Sequence, residues 1–209
     1  MGVSTKIDDF MTQGSWIRKM FEEGISLKAK YGSENVFDLS LGNPVMQPPS
    51  EFFDTLKSIA KNPLDGMHRY MPNSGYIETR TSVASQLSLE TGLEFTCDHI
   101  LMTCGAGGAL NVVMKTLLNP GDEVIIFEPY FVEYMFYADN HGGKCVVLDH
   151  DSNFMPNLDM LEDIVNEKTK MVIVNSPNNP SGAVYPKSIL DGLGKIIKNL
   201  ESVSYTHLR

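Results

Sequence analysis

Apolar positions in the first part of the chain recur at helical spacing. Behind Ser15, the residues Ile17, Met20, Phe21 and Ile25 predict a helix that ends near Gly32. Residues 36–41 read as a short extended run into Gly42, Asn43 and Pro44, and Pro48 and Pro49 lead into a predicted helix over 50–61. A polar stretch over 62–73 then precedes a helix that begins near Ser74 and carries Val83, Leu87 and Leu89. From His99 onward the pattern becomes regular. Short apolar runs at 99–103, 123–127, 144–148 and 171–174 predict strands, and they alternate with helical patterns over 106–118, 130–140, 158–166 and 186–200. Strands separated by helices of this length need crossover connections, so the sheet is expected to be largely parallel with helices on both faces. Ligands of such sheets bind at the C-terminal ends of the strands, which directs attention to the loops that follow them.

Composition narrows the function classes without changing this architecture. The 209 residues suffice for one ample domain, or one domain and part of another. A hydrophobic content of 42% with 21% charged residues is that of a globular protein rather than a disordered or fibrous one. The net charge of −9 argues against a duplex-binding surface, because neutralising phosphates needs clustered Lys and Arg. Cys97, Cys104 and Cys145 lack the paired spacing of a metal site or redox motif, so no metal is expected and a reducing, cytoplasmic setting fits. Residues 1–11 lack the apolar run of a signal peptide, and no stretch approaches the roughly 20 apolar residues of a membrane span. Residues 202–209 follow a helix pattern with neither a stop signal nor a recognisable strand. They read as a non-native tail after an abrupt end.

Three loops carry the candidate chemistry. Gly105, Ala106, Gly107 and Gly108 run directly into a helix, where unpaired amides and the helix dipole suit a phosphate or carboxylate. The same turn would also serve close packing against the sheet. With Glu128 about 20 residues on, Gly105-x-Gly107 partly matches a dinucleotide or adenosyl-methionine fingerprint, but Leu110 stands at the third glycine position. Pro129 to Tyr134 place aromatics at the same sheet edge, where Phe131 can either lie on a planar cofactor or pack into the core. Asn175-Ser176-Pro177-Asn178-Asn179-Pro180-Ser181-Gly182 combines two fixed prolines with a dense set of hydrogen-bonding side chains, a loop built to position something. His68, isolated in a polar loop, reads as solvated.

In this order the motifs resemble the class I and II aminotransferases, the fold type I enzymes that use pyridoxal 5'-phosphate. The resemblance covers residues 14–200. It rests on Leu41-Gly42-Asn43-Pro44, on Tyr70 with Gly75 and Arg80, and on Gly105 to Leu110. Asn119-Pro120-Gly121-Asp122-Glu123-Val124, Pro129 to Tyr134 and Asn175 to Gly182 complete it. It implies a three-layer α/β/α large domain with a mostly parallel sheet, here truncated. Residues 1–45 would be an arm with part of a small domain, 46–200 an incomplete cofactor-binding domain, and 201–209 the tail.

The resemblance also implies roles. Gly105, Ala106 and Gly107 would hold the cofactor phosphate, Phe131 would stack on the pyridine ring, and Asn179 would hydrogen-bond its phenolic oxygen. Tyr70 would reach the phosphate bound by a partner subunit, implying a homodimer, and Gly42 would lie near the substrate carboxylate. The implied reaction moves an amino group from an amino acid to a 2-oxo acid. The lysine that binds the cofactor covalently and the acid that pairs with its ring nitrogen are not identified. Lys115, Lys187, Lys195 and Lys198 are helix-surface residues outside the Ser-x-x-Lys context that the family uses, so the 209-residue chain alone is expected to be inactive. The alternatives are a β-eliminating C–S lyase or decarboxylase of the same fold, an NAD- or adenosyl-methionine-dependent enzyme using Gly105 and Gly107, and a non-catalytic fragment.

Overall fold

The computed structural model describes residues 2–13, 15–39, 42, 46–198 and 204–208. They form two compact units, Met1–Arg69 and Tyr70–Arg209. The first unit contains helices α1 (Thr5–Gln13), α2 (Ser15–Tyr31) and α3 (Ser50–Lys61). Helices α2 and α3 follow the sequence expectation, whereas α1 was not foreseen, its apolar residues being few. Gly24 on α2 allows Asp38 to come close, since a Cβ there would meet Asp38 Oδ2 at 3.0 Å. Lys28 pairs with the same carboxylate at 2.7 Å. Of the predicted extended run, residues 36–39 form no strand, with Phe37 and Leu39 exposed. Ser40, Leu41, Asn43 and Pro44 lie outside the described residues.

The second unit holds α4 (Ile77–Thr91), α5 (Gly105–Leu117), β1 (Glu123–Phe127), α6 (Glu133–Asn140) and β2 (Lys144–Leu148). They are followed by α7 (Leu158–Ile164), β3 (Thr169–Asn175), α8 (Lys187–Lys198) and β4 (Ser204–Leu208). The strands form one sheet in the order β2-β1-β3-β4. All pairs are parallel, with Ile125 opposite Val146 on one side and Val172 on the other.

Alternation along the strands divides the core into two layers. Val124, Ile126, Met171 and Ile173 face α5 and α6, packing on Leu110, Met114, Tyr134 and Ala138. Ile125, Phe127, Val172 and Val174 face the other way, onto Leu161 of α7, Leu193 of α8 and Tyr185. Each fully buried side chain of this size contributes roughly 1.5–3 kcal/mol, and both faces of the strands are used, as expected for a covered parallel sheet. The three-layer α/β/α class expected from the sequence is therefore the one observed. Among the described residues no helix is long and apolar enough to cross a membrane.

Two sequence expectations fail. The run at 99–103 is not a strand: Cys97–His99 form a 3-10 turn, and Ile100 is extended at φ −114° and ψ 128°. Met102 N donates to Ser74 O at 3.0 Å, but no ladder partner stands beside the segment among the described residues. An apolar extended run becomes a strand only when a second backbone meets it. Conversely, residues 202–209 were read as lacking a strand, yet Ser204–Leu208 pair with Met171–Asn175 of β3. Smaller shifts occur at two helix starts: α4 begins at Ile77 rather than Ser74, and α6 at Glu133 rather than Tyr130.

Candidate functional site

Helix α5 opens at the glycine run. Gly105 adopts φ +70°, a conformation that side chains disfavour, and its N–H donates to Thr103 O at 3.0 Å. The turn is locked a second time by Thr103 Oγ1, which donates to Gly105 O at 3.0 Å. Cys104 at the cap position supplies no side-chain acceptor, and the first turn carries no acidic residue. The amides of Ala106 and Gly107 have no partner within the helix, because the first turn has no preceding carbonyls to offer. They stand with the positive end of a 13-residue helix dipole behind them. Gly105 and Ala106 are exposed and Gly107 is half-buried. A Cβ at Gly107 would come within 2.8 Å of Tyr137 Oη, so a side chain there would have to displace that hydroxyl or the turn itself. Donor set, helix polarity and glycine cradle all fit a phosphate group.

Helix α6 and the segment before it form the second part. Phe131 is half-buried, packs on the α5-side core cluster and meets Tyr134 edge-to-face, with ring centroids 5.7 Å apart at 77°. The packing role that the sequence left open for Phe131 is thus present in the structure. Burial pushes the Tyr134 hydroxyl upward from its ordinary range, and Tyr137 and Tyr185 add to the effect electrostatically. Tyr130 is raised in the same way, by burial first and then by Glu128.

The third part is the loop after β3. Asn175 Oδ1 accepts the backbone N–H of Asn179 at 2.9 Å, and its Nδ2 donates to Pro177 O at 3.1 Å, so Asn175 acts as the loop's brace. Asn178 is buried. Its Oδ1 accepts from Ser181 Oγ at 2.8 Å and from Ser181 N at 3.2 Å. Ser176 Oγ accepts from Tyr185 N at 2.8 Å, and Gly182 turns the chain at φ +72°. This internal bonding leaves Asn179 exposed.

Of the residues singled out in the sequence, Gly105, Ala106 and Gly107 share one turn. Phe131 sits on the core cluster that also seats α5, and Asn179 is presented by the braced loop at the end of β3. Tyr70 is fully exposed. Gly42 belongs to the first unit, is exposed, and has open space where a Cβ would stand. Leu110, at the third glycine position of the dinucleotide pattern, is buried against the sheet. Lys115, Lys187, Lys195 and Lys198 are all exposed, and Lys187 is paired with Asp191 at 2.6 Å.

Three residues escaped the sequence reading: Tyr137, Asn111 and His141. Tyr137 lies three residues after Tyr134 on a helix, a spacing that could have flagged it. Asn111 follows Gly107 by one helical turn and donates to its carbonyl from Nδ2 at 2.8 Å.

The cysteines separate by environment. Cys145 lies on β2 with its thiol pushed up to about 12 by burial, donating to Tyr134 O at 3.6 Å. Cys104 is exposed. At pH 8, iodoacetamide is expected to alkylate Cys104 at least about tenfold faster than Cys145, because only the thiolate reacts. Peptide mass spectrometry of briefly treated native protein would show this, and equal rates would mean that the thiol is not buried. Because the folded value is raised above the ordinary 9.0, the stabilising effect of the neutral thiol is present below about pH 9 and is lost as pH rises towards 12.

Comparison with known proteins places these features in company. The family described as aminotransferase class I and II matches residues 34–203. A probable aspartate aminotransferase of Methanocaldococcus jannaschii is 35% identical over 168 residues, which is 80% of this chain and 44% of that protein. The aspartate/prephenate aminotransferase of Thermus thermophilus is 34% identical over 161 residues, 76% of this chain and 41% of that protein. Among solved structures, an amino transferase from Eubacterium rectale superimposes with a TM-score of 0.91 at 32% identity, over 99% of this chain and 54% of that one. The chain thus spans about half the length of these relatives.

Proposed function

The chain belongs to the class I and II aminotransferases, and we propose that it supplies the phosphate-gripping half of an enzyme that moves an amino group from an amino acid to a 2-oxo acid with pyridoxal 5'-phosphate. The observation that carries this reading is the first turn of α5, where a positive-φ glycine, open amides and the Gly107 cradle come together. When bound, the cofactor supplies an electron-withdrawing ring that makes the α-hydrogen of an amino acid acidic. The chain's own part is to hold that group still. The amides at Ala106 and Gly107 would take the phosphate, with Gly105 bending the turn that presents them, Phe131 would bear on the ring face, and Asn179 would reach the phenolic oxygen from its braced loop.

The relatives named for aspartate support an acidic amino acid as donor substrate. Tyr70, fully exposed, suits reaching the phosphate of a second subunit in a homodimer. Three free cysteines suit the cytoplasm. Lys115, Lys187, Lys195 and Lys198, on exposed helix surface, take no catalytic role. The 209-residue chain is expected to bind the cofactor through its phosphate without transaminase activity.

Isothermal titration tests this. Pyridoxal 5'-phosphate should bind the chain at least about tenfold more tightly than pyridoxal, and inorganic phosphate should compete, since the grip is charge-assisted. Equal affinity for the two, or preferential binding of NAD or adenosyl-methionine, would overturn the reading.

A further inference from the structure

Behind the glycine turn lies a second hydrogen-bonded layer that the reading above does not use. Asn111, one turn along α5, donates from Nδ2 to Gly107 O at 2.8 Å. On its other side, Asn111 Oδ1 lies 3.0 Å from His141 Nε2, thirty residues further along the chain. The polarity of this chain of bonds is fixed. A carbonyl can only accept, so the amide group of Asn111 must turn its Nδ2 to Gly107 and its Oδ1 to His141, and His141 must then present an N–H at Nε2. Both the neutral ring protonated at Nε2 and the imidazolium meet that requirement.

His141 is itself held in place. It caps α6 with its backbone N–H on Ala138 O at 3.1 Å, and the chain turns immediately after it at Gly142, φ +80°. The ring is half-buried.

The destination of this chain of bonds gives it meaning. Gly107 C=O and Gly108 N–H belong to one peptide unit. Donation into the oxygen draws electron density towards it and makes the N–H a stronger donor, the ordinary cooperativity of linked hydrogen bonds. Gly108 N–H stands four residues after the cap residue Cys104, where the helix makes its first backbone bond, so a stronger donor there firms the turn that presents the Ala106 and Gly107 amides.

We propose that His141 and Asn111 are positioning residues for the phosphate turn, orienting the Gly107–Gly108 peptide and strengthening its donor from the side opposite the ligand. The proposal rests on α5 as the phosphate site. Its predicted effect is confined to ligands that carry the phosphate.

The test measures binding of pyridoxal 5'-phosphate and of pyridoxal by titration calorimetry on the 209-residue chain and four variants. His141→Phe keeps a ring but removes the N–H, and should weaken pyridoxal 5'-phosphate by roughly 3- to 10-fold, the range of one hydrogen bond. His141→Gln keeps an N–H within reach and should return to within about twofold of the parent chain, on the same scale. Asn111→Leu and Asn111→Asp both lose the donor to Gly107 and should fall at least as far as His141→Phe. Pyridoxal affinity should be the same in all five proteins. Unchanged phosphate-dependent affinity in His141→Phe, failure of His141→Gln to rescue, or an equal loss of pyridoxal binding would each overturn the proposal. If the parent chain shows no preference for the phosphorylated compound, it is the underlying site reading that fails.

Discussion

Gly107→Ala is expected to weaken pyridoxal 5'-phosphate binding by roughly 10- to 100-fold, the equivalent of one lost charge-assisted hydrogen bond. The single added carbon would stand 2.8 Å from Tyr137 Oη, closer than real contacts allow, and 3.5 Å from Cζ, which is an ordinary contact. The Tyr137 side chain, α6 or the first turn of α5 must move. Overpacking of this kind costs about 1–3 kcal/mol. Gly107 is not among the positive-φ glycines, so alanine is otherwise welcome there and gains up to about 1 kcal/mol of helix propensity. The steric term therefore decides the sign. The second-site variant isolates it: in Gly107→Ala/Tyr137→Phe the hydroxyl is gone and the nearest remaining atom is at ordinary distance. That double variant should recover most of the lost affinity and unfold in urea at or above the midpoint of the parent chain. A Gly107→Ala chain that is both more stable than the parent and undiminished in binding would show that Tyr137 gives way freely and that the cradle is not rigid.

Leu161→Ala and Met114→Ala should each lower stability by about 2–5 kcal/mol, since both remove fully buried side chains. Their effects on binding should differ. Leu161 belongs to the layer of α7 and α8, whereas Met114 lies on α5 in the layer that seats the glycine turn. Measured where each variant remains folded, phosphate-ligand affinity should be unchanged in Leu161→Ala and reduced in Met114→Ala. Equal reductions would mean that the two faces of the sheet are not independent.

Much of this was legible in the chain. The runs at 123–127 and 144–148 are strands with the expected ends, because buried parallel strands read as short apolar blocks between turn residues. Strand β3 is longer than its apolar block, running from Thr169 to Asn175. Thr169 is buried with its hydroxyl accepting from Asn166 N at 3.1 Å, a polar residue that periodicity cannot assign inward. The segment at 99–103 has strand composition without strand pairing. Pairing is a property of two segments, and a single-segment pattern cannot carry it. The glycine turn was visible because its chemistry is local, with residue types and helix start lying side by side. Asn111 and His141 were not, because their relation exists only once α6 packs on α5. Tyr137 likewise becomes informative only when its hydroxyl is seen against Gly107.

The loop after β3 has one more consequence. Its shape is held by Asn175, Ser176, Asn178 and Ser181 bonding to the loop's own backbone and to one another. The entropy of ordering it is therefore lost when the chain folds, not when a ligand arrives. A ligand that meets Asn179 finds a surface already in its final form, so the heat and the rate of capture there should reflect contact and desolvation alone.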